Sequence, residues 1–411
     1  MPQKLILDTD PGVDDVLAIL LSLSSPELQV VLISIVFGNT HAPVAHSNLL
    51  KIYHSLSKEI EQIPDAQSRY GRLAEPNQKT MLALGEDGPI GGEKAVAAYF
   101  HGPDGLSNIT ETHPHFTAPK LDPSTPHEHL EISTKASYEV MLDILRHEED
   151  DSVVIVALGP LTNLAHALRT DPQTFSKVSR IVWMGGALDH PGNTSATAEF
   201  NCFADPFAAS EILEGCKAGL FEFILAPLDI TTPHAIPFSD LIHPSVVKIP
   251  NSRGELVETD EEPTPLQAFV SAMLVRVRGL QASFGLEDSM EMHDPVAVWY
   301  ALAHAMQKRN SPPLEGWKVV QREFKIERIG ELTRGMCVTD RRGTGESNNT
   351  DRSKDEDLKS FGIGKKDEET GRMGEKIPKA KQLPWVITKT PGIDELRRVL
   401  LGRVFGTKVD E

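Results

Sequence analysis

The sequence predicts an α/β fold, an open, mostly parallel, Rossmann-like sheet with helices on both faces. Two observations point there. Short, continuous apolar runs of strand length recur at residues 4–7, 29–36, 152–157, 180–184 and 223–225. Continuous rather than alternating runs mark strands buried on both faces. Between them lie stretches with apolar residues at helical spacing, at 13–23, 163–168 and 206–213, and strands that alternate with helices build parallel sheets.

The first run ends in Asp8-Thr9-Asp10-Pro11-Gly12-Val13-Asp14-Asp15, where Pro11-Gly12 makes the turn into the first helix. The second strand is followed by Gly38-Asn39, the third by Gly159-Pro160, the fourth by Gly185-Gly186. In a parallel sheet ligands bind beyond the carboxyl ends of the strands, so these loops are where chemistry is expected. Residues 60–95 and 111–135 are rich in Pro, His, Gly and charge and read as surface excursions. The segment 341–382 has almost no bulky apolar groups to offset its ordering entropy, and reads as a mobile polar insertion. The chain resumes at Leu383-Pro384-Trp385-Val386-Ile387 and closes with an amphipathic helix over 393–404. No internal repeat is present, and residues 1–411 read as one domain.

A chain of 411 residues, 40% of them apolar, can bury a large core. Its formal charge of −18 disfavours nucleic acid and anionic membrane as partners. Cys202, Cys216 and Cys337 form neither a paired framework nor a metal-type spacing, which suits a reducing compartment. No run approaches the 18 apolar residues of a membrane span, and MPQKLILDTD has no leader pattern. These features predict a cytoplasmic protein.

Four carboxylates within eight residues, Asp8, Asp10, Asp14 and Asp15, repel one another unless protons or a cation compensate. Helix capping accounts for one or two of them but not for four. An all-oxygen donor set without His or Cys points to Ca²⁺ or Mg²⁺ rather than zinc. A second polar cluster runs through Gly185-Gly186, Gly192-Asn193 and Ala198-Glu199-Phe200-Asn201 to Asp205. Its amides and carboxylates suit vicinal hydroxyls, although such a loop alone could be a polar turn. The third cluster, His293-Asp294-Pro295, opens an apolar helix over 296–306. Asp294 alone would read as an N-cap, but a His beside a metal-liganding carboxylate is placed to donate a proton near neutral pH.

Taken together, these motifs resemble the inosine-uridine-preferring nucleoside hydrolases, whose N-terminal signature is similar to DTDPGVDD at 8–15. Gly38-Asn39, His101-Gly102-Pro103-Asp104-Gly105-Leu106, Ala157-Leu158-Gly159-Pro160-Leu161-Thr162-Asn163, Met184-Gly185-Gly186, Ala198-Glu199-Phe200-Asn201, His293-Asp294-Pro295 and Glu331-Leu332-Thr333-Arg334-Gly335-Met336 match family landmarks in the same order, over about residues 4–340. The resemblance implies a Ca²⁺-dependent N-glycosidase that splits ribonucleosides into ribose and base. It implies calcium held by Asp10, a bidentate Asp15, the backbone carbonyl of Leu158, and Asp294. Asp14, Asn39, Asn193, Glu199 and Asn201 would grip the ribose, with His101 also at the substrate. Asp10 would act as general base and His293 as acid, in a homodimer or homotetramer. One departure lies near the base: the chain reads Leu228-Asp229-Ile230-Thr231-Thr232-Pro233-His234 where the family often has a Thr-His pair. Two other readings stay open, an Mg²⁺ phosphatase built on Asp8 and Asp10, and a catalytically silent nucleoside binder.

Overall fold

The computed structural model describes residues 2–74, 79–120, 126–250, 254–256, 259–340 and 382–408. Among these, nine strands form one sheet: β1 (Gln3–Thr9), β2 (Leu28–Ile35), β3 (Thr80–Leu84), β4 (Leu130–Ile132), β5 (Val153–Ala157), β6 (Arg180–Met184), β7 (Glu222–Ala226), β10 (Lys318–Gln321) and β13 (Trp385–Lys389). Two small ribbons complete the set, β8 (Ala235–Pro237) with β9 (Ser289–Glu291), and β11 (Lys325–Ile326) with β12 (Cys337–Val338). The sheet order is β10-β13-β7-β6-β5-β1-β2-β3-β4, and every pairing is parallel except β10 with β13. The five apolar runs of the sequence are β1, β2, β5, β6 and β7.

The strands are apolar throughout because they are covered twice. Side chains alternate across a strand, so Leu5 and Leu7 join one core and Ile6 the other, as Val154 and Val156 part from Val153 and Ile155. Helices Val13–Leu23, His293–Ala303 and Ile393–Phe405 contribute to the first core; Ser137–His147, Thr162–Thr170 and Pro206–Lys217 contribute to the second. All eleven residues of Val13–Leu23 are buried, including Asp14 and Asp15 in its first turn. Acids there complement the helix dipole, and Asp15 Oδ2 accepts from the Gly12 N–H at 3.0 Å.

The surface-excursion reading of 60–95 and 111–135 is corrected by the structure. β3 and β4 lie within those segments and extend the sheet past β2, while Tyr70 and Leu82 are wholly buried. Both strands are short and flanked by Pro, Gly and charge, so the composition of the wider window conceals them. Residues 341–381 of the expected polar insertion lie outside the described residues. The resumed chain at 385–389 inserts as β13 beside β7, and the closing helix runs Ile393–Phe405.

β1 sits between β5 and β2, where the chain winds away in opposite directions. That is the switch point at which a doubly wound sheet opens a crevice, and the four-aspartate loop leaves β1 there.

Candidate active site

The floor of the crevice is built by backbone ends that the sheet register brings level. Asp8 pairs with Ser34 of β2 and Ala157 of β5, so the loops after all three strands leave side by side. Asp10 follows on the β1 loop. Its Oδ2 accepts the Asn39 N–H at 2.6 Å, while its Oδ1 is buried with no hydrogen-bond partner. Gly159 presses against this carboxylate: a Cβ there would stand 2.6 Å from Oδ1, so a larger residue would displace it. Asp15 accepts from Thr9 Oγ1 at 2.5 Å and from Asn39 Nδ2 at 2.7 Å.

Asp14, Asp15 and Asp294 each bring a carboxylate oxygen within 4.8 Å of the others, and could hold a metal ion. Asp294 reaches them from the first turn of His293–Ala303, which starts three residues before the apolar run and ends at Ala303. Burial, then the charges of its neighbours, pushes Asp10 and Asp294 well above the ordinary carboxylate range. Asp14 is pushed up to about 7 by burial and then by Asp15. Asp15 is also raised by burial, against hydrogen bonds from Thr9 and Gly12 that favour its charged form. Buried carboxylates in mutual repulsion, one with an orphaned oxygen, call for positive charge. The sequence-based assignment placed Asp14 on the ribose and Asp10 on the metal; in the structure Asp14 joins the tight oxygen triad, and Asp10 stands beside it with one oxygen free.

Above this floor is a cavity of about 270 Å³, lined by Asp14, Asn39, His101, Leu158, Asn193, Glu199, Asn201, His293 and Asp294. Nine of the residues singled out in the sequence thus meet in one crevice, with Asp10 and Asp15 wholly buried beside it. Glu199 caps helix Phe200–Ala204 and accepts from the N–H groups of Asn201, Cys202 and Gly186. Burial nevertheless raises its pKa. Asn201 Nδ2 donates to the Leu158 carbonyl at 2.6 Å, which leaves that oxygen a second lone pair. Asn193 Oδ1 accepts from the Phe200 N–H at 2.9 Å.

Two histidines face the cavity with opposite character. His101 Nδ1 accepts from the Val13 N–H at 3.2 Å, which assigns its proton to Nε2. Burial, then His293 and Arg276, lowers its pKa to about 3 and keeps it neutral. His293 is raised: burial opposes its charge, but Glu291 Oε2 at 2.9 Å from Nε2, together with Asp14 and Glu199, outweighs that. Thr231 Oγ1 lies 2.8 Å from His293 Nδ1. The Thr231 of the divergent 228–234 segment therefore touches the site, whereas His234 bonds away, to the Ile230 carbonyl and to Thr390.

The remaining cavity wall was not foreseen. Tyr99, Phe100, Gln281, Phe284, Leu286, Met290 and Glu291 line it, and Gln281 Oε1 is buried without a partner. No motif marks these residues. Glu291 closes β9 and His293 opens the next helix, so even their pairing across the turn follows no sequence periodicity.

The fold and this site define a nucleoside hydrolase, an enzyme that cleaves a glycosidic bond. The family model described as inosine-uridine preferring nucleoside hydrolase matches residues 5–361, and the chain belongs to that family. The Leishmania major inosine-uridine preferring nucleoside hydrolase is 28% identical over 341 residues, 83% of this chain and 88% of the relative. A probable uridine nucleosidase 1 of Oryza sativa subsp. japonica is 31% identical over 301 residues, 73% and 76% of the two chains. Among solved structures, a plant nucleoside hydrolase shares the fold with a TM-score of 0.69 at 22% identity, covering 99% of this chain and 100% of that one. No described helix is long and apolar enough to cross a membrane.

Proposed function

We propose that this chain is a Ca²⁺-dependent hydrolase of ribonucleosides, purine, pyrimidine or both, releasing ribose and the free base. The observation that carries the reading is Asp10 Oδ1, buried and unpartnered beside the carboxylates of Asp14, Asp15 and Asp294. The oxygen-only donor set fits a hard cation. Asp10, Asp15, the Leu158 carbonyl and Asp294 would hold it. When bound, the ion would offset the carboxylate repulsion and lower the pKa of the attacking water.

The chain's own residues then carry the reaction. Asp14, Asn39, Asn193, Glu199 and Asn201 hold the ribose hydroxyls, with His101 beside them. Asp10 takes a proton from water as its oxygen bonds to C1′ and the C1′–N bond breaks, the bonding pair leaving with the base. Negative charge around the crevice stabilises the oxocarbenium character that develops on the sugar. His293 donates a proton to the departing base. Its Nε2 faces Glu291, so a bound base competes with that carboxylate for the proton.

The test is a panel assay of ribose release from inosine, uridine, cytidine, adenosine, guanosine and nicotinamide riboside, with wild type and Asp10→Ala, before and after chelation. Cleavage abolished by Asp10→Ala and by chelator, and restored by Ca²⁺ better than by Mg²⁺, is the expected result. Ribose bound but never released would instead indicate a silent binder, and phosphate released from phosphomonoesters a phosphatase. Three free, buried cysteines support a cytoplasmic location. We read the whole chain as one domain that assembles as a homodimer or homotetramer, which light scattering of the purified protein would decide.

A further inference from the structure

Lys51 is a buried cation that the reaction scheme leaves unused. It lies on helix Ala42–Gln62, 4% exposed, and its Nζ donates to Asn48 Oδ1 and to Thr110 Oγ1, each at 2.8 Å. Neither acceptor is charged. Burial disfavours its charge and the Asp104 carboxylate favours it, so Lys51 is tied to the 101–110 loop by charge as well as by the Thr110 bond. One turn earlier, Asn48 Nδ2 donates both to the Pro11 carbonyl, inside the aspartate loop, at 3.1 Å, and to the Asp104 carbonyl at 2.7 Å. Asn48 therefore staples two loops distant in sequence, and Lys51 fixes the Asn48 amide by its oxygen while gripping the far end of the second loop.

That second loop carries His101. Its backbone does not hold this shape by preference, since Ser107 and Asn108 both sit at positive φ, 62° and 66°. Asp104 counters this by accepting from the N–H groups of Leu106, Asn108 and Thr110 and from Thr110 Oγ1. Thr110 is thus shared between Asp104 and Lys51. The loop begins at His101, whose ring is docked on the Val13 N–H at the start of the helix that bears Asp14 and Asp15.

We propose that Asn48 and Lys51 are positioning residues for hydrolysis, a brace that holds the 101–110 loop against the aspartate loop and so sets His101 over the ribose side of the cavity. The inference rests on the hydrolase reading above. The brace acts through His101 and the aspartate loop, without touching substrate.

The experiment compares full-length wild type, Lys51→Met, Thr110→Val and Thr110→Ser, by steady-state kinetics on whichever nucleoside the panel shows to be cleaved, by Ca²⁺ titration calorimetry, and by hydrogen exchange of peptides from 101–112 and from β1. Lys51→Met and Thr110→Val are expected to speed exchange in 101–112 but not in β1, and to raise KM tenfold or more with Ca²⁺ affinity within threefold of wild type. Thr110→Ser, which keeps the hydroxyl, is expected to restore both readouts. A loosened loop with unchanged KM and kcat would overturn the positioning role. So would loss of activity in step with loss of β1 protection, which is what a general stability defect produces. If the wild type cleaves no nucleoside, the hydrolase reading is what fails, and the same variants are scored by ribose affinity: unchanged ribose binding with a loosened loop then overturns the brace.

Discussion

Asn39 grips Asp15 with its side chain, Nδ2 to Oδ2 at 2.7 Å, while its backbone N–H holds Asp10 at 2.6 Å. One residue after β2 therefore orients two carboxylates from the β1 loop, and does so by separable groups. Asn39→Ala keeps the backbone bond and removes the other, leaving the buried Asp15 Oδ2 with the longer bond from the Gly12 N–H alone. Loss of such a supporting bond typically costs about 10–100-fold in metal affinity or activity. Calorimetry with Ca²⁺ should show weaker binding in this range, with kcat/KM falling in parallel; an unchanged affinity would mean that Asp15 is held adequately by Thr9 and Gly12 alone.

Asp10→Asn tests the base separately from the fold. The amide is nearly isosteric and can still face the Asn39 N–H through its oxygen, but it cannot take a proton. General base catalysis contributes about 10²–10⁴-fold, so kcat should fall by that range while ribose binding changes little. Because Asp10 is destabilised by burial and by Asp15 and Asp14, the neutral variant should also melt higher than wild type in chelator at pH 7.5.

The raised carboxylates give the metal-free protein a characteristic pH dependence. Asp8, held by Ser34 and Asn163 but wholly buried, is pushed up to about 7 by burial, as Asp14 is by burial and Asp15. Between the ordinary value of 3.8 and about 7 the folded state retains protons that the unfolded state has lost. Stability from these groups is thus full below the lower value and is lost as pH rises through the higher one. A cation that binds the ionised forms reverses the trend. Thermal melts with chelator or with saturating Ca²⁺ should show a Ca²⁺-induced rise in Tm that is small at pH 4.5 and large at pH 7.5. Asp10, Asp15 and Asp294, the proposed ligands, are raised in the same direction, so a rise independent of pH would show that the buried carboxylates of the crevice are not what the ion engages.

Asn163 stands below the site as a structural tie. Its Nδ2 donates to Asp8 Oδ1 at 2.8 Å, Ser34 Oγ at 3.1 Å and the Ile35 carbonyl at 3.0 Å, and its Oδ1 accepts from the Glu86 N–H at 2.9 Å. Asn163→Leu leaves the Glu86 N–H without its acceptor, while Asp8 and Ser34 keep each other and the Ile35 carbonyl keeps the Gly85 N–H, so it should destabilise by about 1–3 kcal/mol, read by urea denaturation.

The central strands were legible because burial on both faces writes continuous apolar runs, as in Val153–Ala157. The acid loop was legible because four adjacent aspartates cannot be explained by capping. β3 and β4 were not, since both reach solvent at their ends and are flanked by Pro, Gly and charge, so that no fully buried run stands out as it does in β5. Asn48 and Lys51 interrupt the pattern of their helix, and only the fold shows that they face two loops rather than water. Gln281, Phe284 and Leu286 are unremarkable in their own segment, and enter the site because the helix Pro265–Ser283, which carries Gln281 and leads into the other two, is tied to Phe100 through Arg276. Local chemistry was readable, whereas convergence of ordinary residues from distant segments was not.

The division of labour between the two histidines can be decided by the leaving group. His101 is neutral to about pH 3, whereas His293 is held in its charged form by Glu291, Asp14 and Glu199 against the effect of burial. Only the latter has a proton to give readily near neutrality. A nucleobase leaves poorly without protonation, but a nitrophenolate departs unaided. His293→Ala should therefore lower kcat on a cleaved nucleoside by about 10²-fold or more and leave hydrolysis of a nitrophenyl riboside within a fewfold of wild type. A variant equally slow on both substrates would show that His293 serves ribose placement or the Asp14 charge instead, and would move the acid role elsewhere. Glu291→Gln supplies the complementary measurement: removing the carboxylate lowers the His293 pKa, so the alkaline limb of the kcat profile for the nucleoside should move to lower pH, while the nitrophenyl riboside profile stays in place.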